Sequence, residues 1–108
     1  MQHKQLSEGR WFNLSFFEQM ANIGSEVERA ISWKNRNKDF SKKAVDRALE
    51  LLFLSIDDKK NMPRLKELTR VYENIGDYFY GKNIYKSSDL LWQKYFYNFA
   101  FVARNQIK

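Results

Sequence analysis

Cysteine is absent from the 108-residue chain, and histidine and proline occur once each, glycine four times. Without cysteine there is neither a disulfide scaffold nor a thiolate metal site. With His3 as the only imidazole, a histidine-based metal or acid–base site is excluded in practice, and no metal or cofactor is expected. So little glycine and proline disfavours a turn-rich β architecture. Long apolar runs are missing too: Leu51–Leu54 and Phe99–Ala103 are the longest, far short of the roughly 20 residues that span a bilayer. Met1–Trp11 is polar and reads as no secretory leader, so the expectation is a cytoplasmic protein without membrane contact.

Catalytic signatures are equally scarce. The chain contains no phosphate-binding Gly-rich loop and no Gly-x-Ser-x-Gly elbow. Glu-x-x-His, which a di-metal bundle needs on two helices, does not occur. The helical HEPN ribonucleases place an arginine four to six residues before a histidine, and Arg104 has no such partner. One polar stripe remains, Glu18, Asn22, Ser25, Glu26 and Arg29 on a helix face. Its two carboxylates are about 12 Å apart by helical rise, too far for a paired-carboxylate hydrolase. The stripe reads as a solvated face, and the protein as a non-enzyme.

What is present is helical periodicity, aromatic mass and positive charge. At 108 residues the chain fits one domain able to bury about two-thirds of its unfolded surface. Ser15-Phe16-Phe17-Glu18 is a capping box, after which Phe16, Met20, Ile23, Val27 and Ala30 or Ile31 form the apolar stripe of a first helix, ending near Lys34. A second starts near Phe40 or Ser41, faces Ala44, Val45, Ala48, Leu49, Leu52 and Ile56 inward, and ends near Asp57. Pro63 suits the first turn of a third, whose stripe is Leu65, Leu68, Tyr72, Ile75 and Phe79, with Gly81 as its C′ residue. Ser87 or Ser88 caps a fourth, running to about Asn105. Residues 1–12 read as a mobile or loosely packed lead-in. Four helices joined by short loops make an all-α, antiparallel up-down-up-down four-helix bundle the expected fold. Gly24 and Gly76 fall inside helices, where close helix–helix approach is the usual reason for glycine.

That topology places residues 34–43 and 82–89 at one pole. Lys34, Arg36, Lys38, Lys42, Lys43, Lys82 and Lys86 gather there against Asp39 and Asp89, five of the six net positive charges. The other pole has Lys59, Lys60, Arg64 and Lys66 against Asp57 and Asp58. A basic pole points to a polyanion, and nucleic acid is the commonest. Tyr85, beside Lys82 and Lys86, is the candidate stacking residue, since single-stranded binders interleave aromatics with cations. The fourth helix carries six aromatics between Trp92 and Arg104. Trp92, Phe96, Phe99 and Ala103 make one stripe, Leu91, Tyr95 and Val102 an adjacent one, and Tyr97 and Phe101 lie on a third side. A helix apolar all round is buried on more than one side, so Tyr97 and Phe101 are assigned to an oligomer interface.

The segments "GRWFNLSFFEQMANIGSEVERAISW", "RALELL" and "YFYNFAFVAR" resemble a group of short all-helical prokaryotic proteins with no established activity, over Gly9 to Arg104. At the level of architecture the chain is similar to the four-helix-bundle family of 23S rRNA intervening-sequence proteins and the accessory variability determinant of diversity-generating retroelements. That likeness implies a ring-forming basic bundle that engages RNA and an enzyme partner, and brings no site residue with it. The expectation is therefore an oligomeric adaptor that binds nucleic acid, RNA in particular. The alternative is a protein-interaction module with an acidic protein partner and no nucleic-acid binding.

Overall fold

The computed structural model describes residues 8–106. The chain is all-α, with no strand among the described residues. In order come α1 (Glu8–Phe12), α2 (Phe16–Trp33), α3 (Lys38–Ile56), a 3-10 turn (Lys59–Arg64), α4 (Leu65–Tyr80) and α5 (Asp89–Gln106). α2 packs on both α3 and α5, and α3 also packs on α4. α4 and α5 diverge, leaving between them a groove of about 430 Å³. No helix among the described residues is long and apolar enough to cross a membrane.

Local chemistry accounts for the helix ends. The Ser15 side chain accepts from the Glu18 amide at 3.1 Å, and Glu18 returns the bond to the Ser15 amide at 2.8 Å, satisfying two of the donors that every helix start leaves open. Asn37 caps α3 by accepting from Phe40 N at 3.1 Å. The helix therefore starts at Lys38, earlier than the apolar pattern alone indicates. Ser88 caps α5 through Leu91 N at 3.1 Å.

Packing decides the rest, and it departs from the sequence reading in four places. First, within the lead-in, residues 8–12 form α1, and Trp11 is fully buried. Its indole donates to Ser55 Oγ at 3.1 Å, which anchors α1 to α3. The remainder of that stretch, His3 included, lies outside the described residues. Second, Pro63 sits in the 3-10 turn before α4 rather than in its first turn. Third, the buried face of α4 is Leu68, Val71 and Ile75, while Leu65 and Tyr72 are exposed; α3 covers only one narrow side of this helix. Fourth, Gly81 ends α4 with a φ of −103°, not in the left-handed region. Space favours glycine there, because a Cβ would lie 3.0 Å from Asp77 O and 3.1 Å from Asp77 Cα.

The core of α5 follows the sequence stripe, with Trp92, Phe96, Phe99 and Ala103 all buried. Its approach to α2 is set by Gly24, where an added Cβ would stand 2.7 Å from Phe96 Cβ. That atom is fixed to the backbone and cannot swing away. Gly76, by contrast, has nothing within 4 Å of the same position, so close approach does not explain it. The two glycines should therefore respond oppositely to alanine. Gly24→Ala should destabilise by roughly 1–3 kcal/mol through overpacking. Gly76→Ala should stabilise by about 0.5–1 kcal/mol, because it lowers the entropy of the unfolded chain. Urea titration of the two variants checks both signs.

Candidate nucleic-acid interface at one pole

Three cross-helix ties bring the turn after α2, the start of α3 and the loop between α4 and α5 to one end of the molecule. Lys34, at the end of α2, donates to Asp89 Oδ1 at 2.6 Å and to Tyr78 OH at 3.0 Å. Tyr78 OH donates in turn to the same Asp89 oxygen at 2.5 Å, so α2, α4 and α5 share one knot. Tyr80 OH reaches Asp46 Oδ1 at 2.5 Å, joining the end of α4 to α3. The third tie is aromatic: Trp33 meets Phe40 edge to face, centroids 4.9 Å apart, across the α2–α3 turn.

All seven cations assigned to the basic pole lie on these segments, but they are not equally free. Lys34 serves the knot. Burial works against its charge, yet the bonds to Asp89 and Tyr78 outweigh that and raise its pKa. Burial likewise opposes the charge of Asp89, and the bonds from Lys34 and Tyr78 overcome it, holding the carboxyl below its usual range. Lys42 pairs with Asp46 at 3.0 Å while its side chain stays 65% exposed. The guanidinium of Arg36 lies 4.7 Å over the Trp33 ring. Lys38, Lys43, Lys82 and Lys86 are exposed and make no ion pair among the described residues. Asp46 and Asp77 join Asp39 and Asp89 here, so the pole is less positive than the linear sequence indicates. It still offers more uncommitted cations than the opposite end, where Lys60 pairs with the buried Asp58 and Arg64 lies over Phe16 and beside Glu67.

The 81–88 loop is held by side-chain to backbone hydrogen bonds. Both carboxylate oxygens of Asp77 accept backbone amides, from Ile84 at 2.9 Å and Tyr85 at 3.0 Å. Asn83 and Ser87 exchange two bonds, side-chain amide to carbonyl at 2.9 Å and backbone amide to side-chain oxygen at 2.8 Å. Inside this frame Asn83 and Lys86 adopt φ values of 55° and 56°. Asparagine tolerates the left-handed region. Lysine there costs about 1–2 kcal/mol and must be held by its surroundings. The result presents Tyr85 60% exposed with Lys86 beside it.

Sequence reasoning missed Trp33 and Phe40 as members of this pole. Phe40, read only as a helix start, is 46% exposed and rests against the half-buried Trp33. The signal was the pairing of Trp33 with Arg36 and of Phe40 with Lys43, each three residues apart. The fold makes the two pairs one cluster.

Away from the pole, Tyr97 and Phe101 are 61% and 51% exposed on the outer side of α5. Tyr97 lines a groove of about 350 Å³ between α2 and α5, together with Ala21, Gly24, Ser25 and Ala100, and Phe101 follows one turn further along α5. The polar stripe of α2 is engaged locally. Glu18 belongs to the cap, and Asn22 donates to Glu18 O at 2.8 Å. Glu26 lies 3.0 Å from Arg29 and 3.6 Å from Arg47. No group of three metal-ligating side chains occurs among the described residues. Comparison with family models, curated proteins and solved structures matches none of them to this chain. The functional reading therefore rests on geometry and charge.

Proposed function

We propose that this chain is a non-enzymatic, antiparallel up-down-up-down bundle of α2 to α5 that binds single-stranded nucleic acid, RNA in particular, at the basic pole. The observation that carries the reading is the set of uncommitted cations there. Lys38, Lys43, Lys82 and Lys86, with Arg36 at the turn, lie on the start of α3 and the 81–88 loop, the latter carrying the exposed Tyr85. Phosphate contacts of this kind give affinity without sequence preference and weaken steeply with salt. A catalytic reading gains nothing from the α2 stripe, whose polar groups are occupied in capping and ion pairing.

The exposed face of α5 supports a second element, self-association. A two-fold interface uses the same patch on both copies, so it must contain both projection and recess. Tyr97 and Phe101 are the projections, and the small-residue groove beside them is the recess. Glu28 on one rim and Lys94 along the same face add opposite charges for a second copy to pair. Light scattering coupled to size exclusion tests both elements. The 13.1 kDa chain should run at a multiple of its mass at low and high salt, and take up a short mixed-sequence RNA at low salt only. Tyr97→Ser with Phe101→Ser should return the monomer mass. A monomer indifferent to RNA defeats the proposal and redirects the search to an acidic protein partner.

A further inference from the structure

The cluster at the α2–α3 turn has more in it than charge. Trp33 and Phe40 meet with ring planes 86° apart and centroids 4.9 Å apart, making a corner of two perpendicular aromatic walls. Phe40 keeps 46% of its surface open and stands in the first turn of α3. Lys43 is three residues further along the same helix, so it lies on the same face, one turn on. On the other wall the Arg36 guanidinium sits 4.7 Å over the indole. Aromatic faces alternating with cations that reach for phosphate is the arrangement by which proteins hold unpaired bases. Of the two rings Phe40 is the open one, and Trp33 is half-buried beneath the turn.

We infer that the Trp33–Phe40 corner is a base-stacking site for single-stranded nucleic acid: a base lies flat on Phe40 with its edge toward Trp33, while Arg36 and Lys43 hold the flanking phosphates. The assignment rests on the proposed nucleic-acid reading of the pole and adds recognition of the base itself. It makes the site selective for unpaired over paired strands, because a duplex keeps its bases stacked on each other.

The molecule carries its own reporter. Of its three tryptophans, Trp11 and Trp92 are buried at 0% and 6% exposure, which leaves Trp33 as the indole that a ligand reaches. Titration with a short oligouridylate should quench indole fluorescence, and an abasic oligonucleotide of equal phosphate number should bind more weakly and quench little. Phe40→Ala should weaken oligouridylate binding about tenfold and leave the abasic strand unaffected, with Phe40→Tyr restoring affinity. Circular dichroism confirms that each variant is folded. Equal affinity for the two strands, or equal loss of both in Phe40→Ala, overturns the stacking site while the charged pole stands. Failure of the wild-type protein to bind either strand at low salt removes the pole reading and the stacking site together.

Discussion

Changing Lys43, Lys82 and Lys86 together to glutamine is expected to cut affinity for single-stranded RNA about a hundredfold near 0.1 M salt. Each phosphate contact on a single strand releases roughly 0.7 of a counterion, worth about 0.7 of a decade in affinity at that salt, so three contacts account for about two decades. The slope of log affinity against log salt should fall by about 2 in parallel. The control is a second trio, Lys59, Lys66 and Arg104, exposed and without ion pairs among the described residues. Its replacement removes the same net charge away from the pole and should cost less than about threefold. Equal losses for the two trios would mean that binding follows overall charge and that the pole is not a site. Lys34 is left out of the set on purpose. Its charge holds Asp89 and Tyr78, so its removal would loosen the pole and confuse the two effects.

Trp11→Ala should give the largest loss of stability, about 3–5 kcal/mol, as for other large buried aromatics. In a domain of this size that lowers Tm by at least about 12 °C. Trp11 does more than fill space. Its carbonyl accepts from Gln19 Nε2 at 3.0 Å, and the same amide nitrogen donates to Asp58 Oδ2 at 2.8 Å. Asn61 Nδ2 closes the network on Gln19 Oε1 at 2.8 Å and on Ser55 O at 2.9 Å. Gln19, Ser55, Asp58 and Asn61 are all buried, so detaching α1 strips partners from groups that water does not reach in the folded state. Trp11→Phe keeps most of the volume and loses the Ser55 bond, and should cost about 1–2 kcal/mol. A loss below about 1 kcal/mol for Trp11→Ala in a thermal melt would show that α1 frays independently of the core. Because this network lies at the opposite end from the basic pole, RNA affinity measured well below the new Tm should not change.

The starts of α2 and α5 and the α5 core stripe were legible because their causes are local. The Ser15–Glu18 box spans three residues, and Trp92, Phe96, Phe99 and Ala103 meet one neighbour at helical spacing, so composition and period suffice to place them. Phe40 is the instructive failure. It reads only as the start of a helix, and the fold sets it against Trp33 with 46% of its surface open. Tyr72 on α4 is a second case: a regular stripe would bury it, but the helix turns Leu68, Val71 and Ile75 to the core instead and leaves Tyr72 exposed.

By itself the sequence determined that this protein is helical, free of thiol chemistry and more basic than acidic, and it marked which segments carry the charge. Tertiary structure alone decided which charges stay available and which rings stay open. Lys34 meets Tyr78 and Asp89 across 44 and 55 residues, and Trp11 meets Ser55 across 44. Pairings of that range depend on how helices dock rather than on how they form. Docking is set by the sum of many weak contacts over whole faces, so a local pattern carries no trace of it.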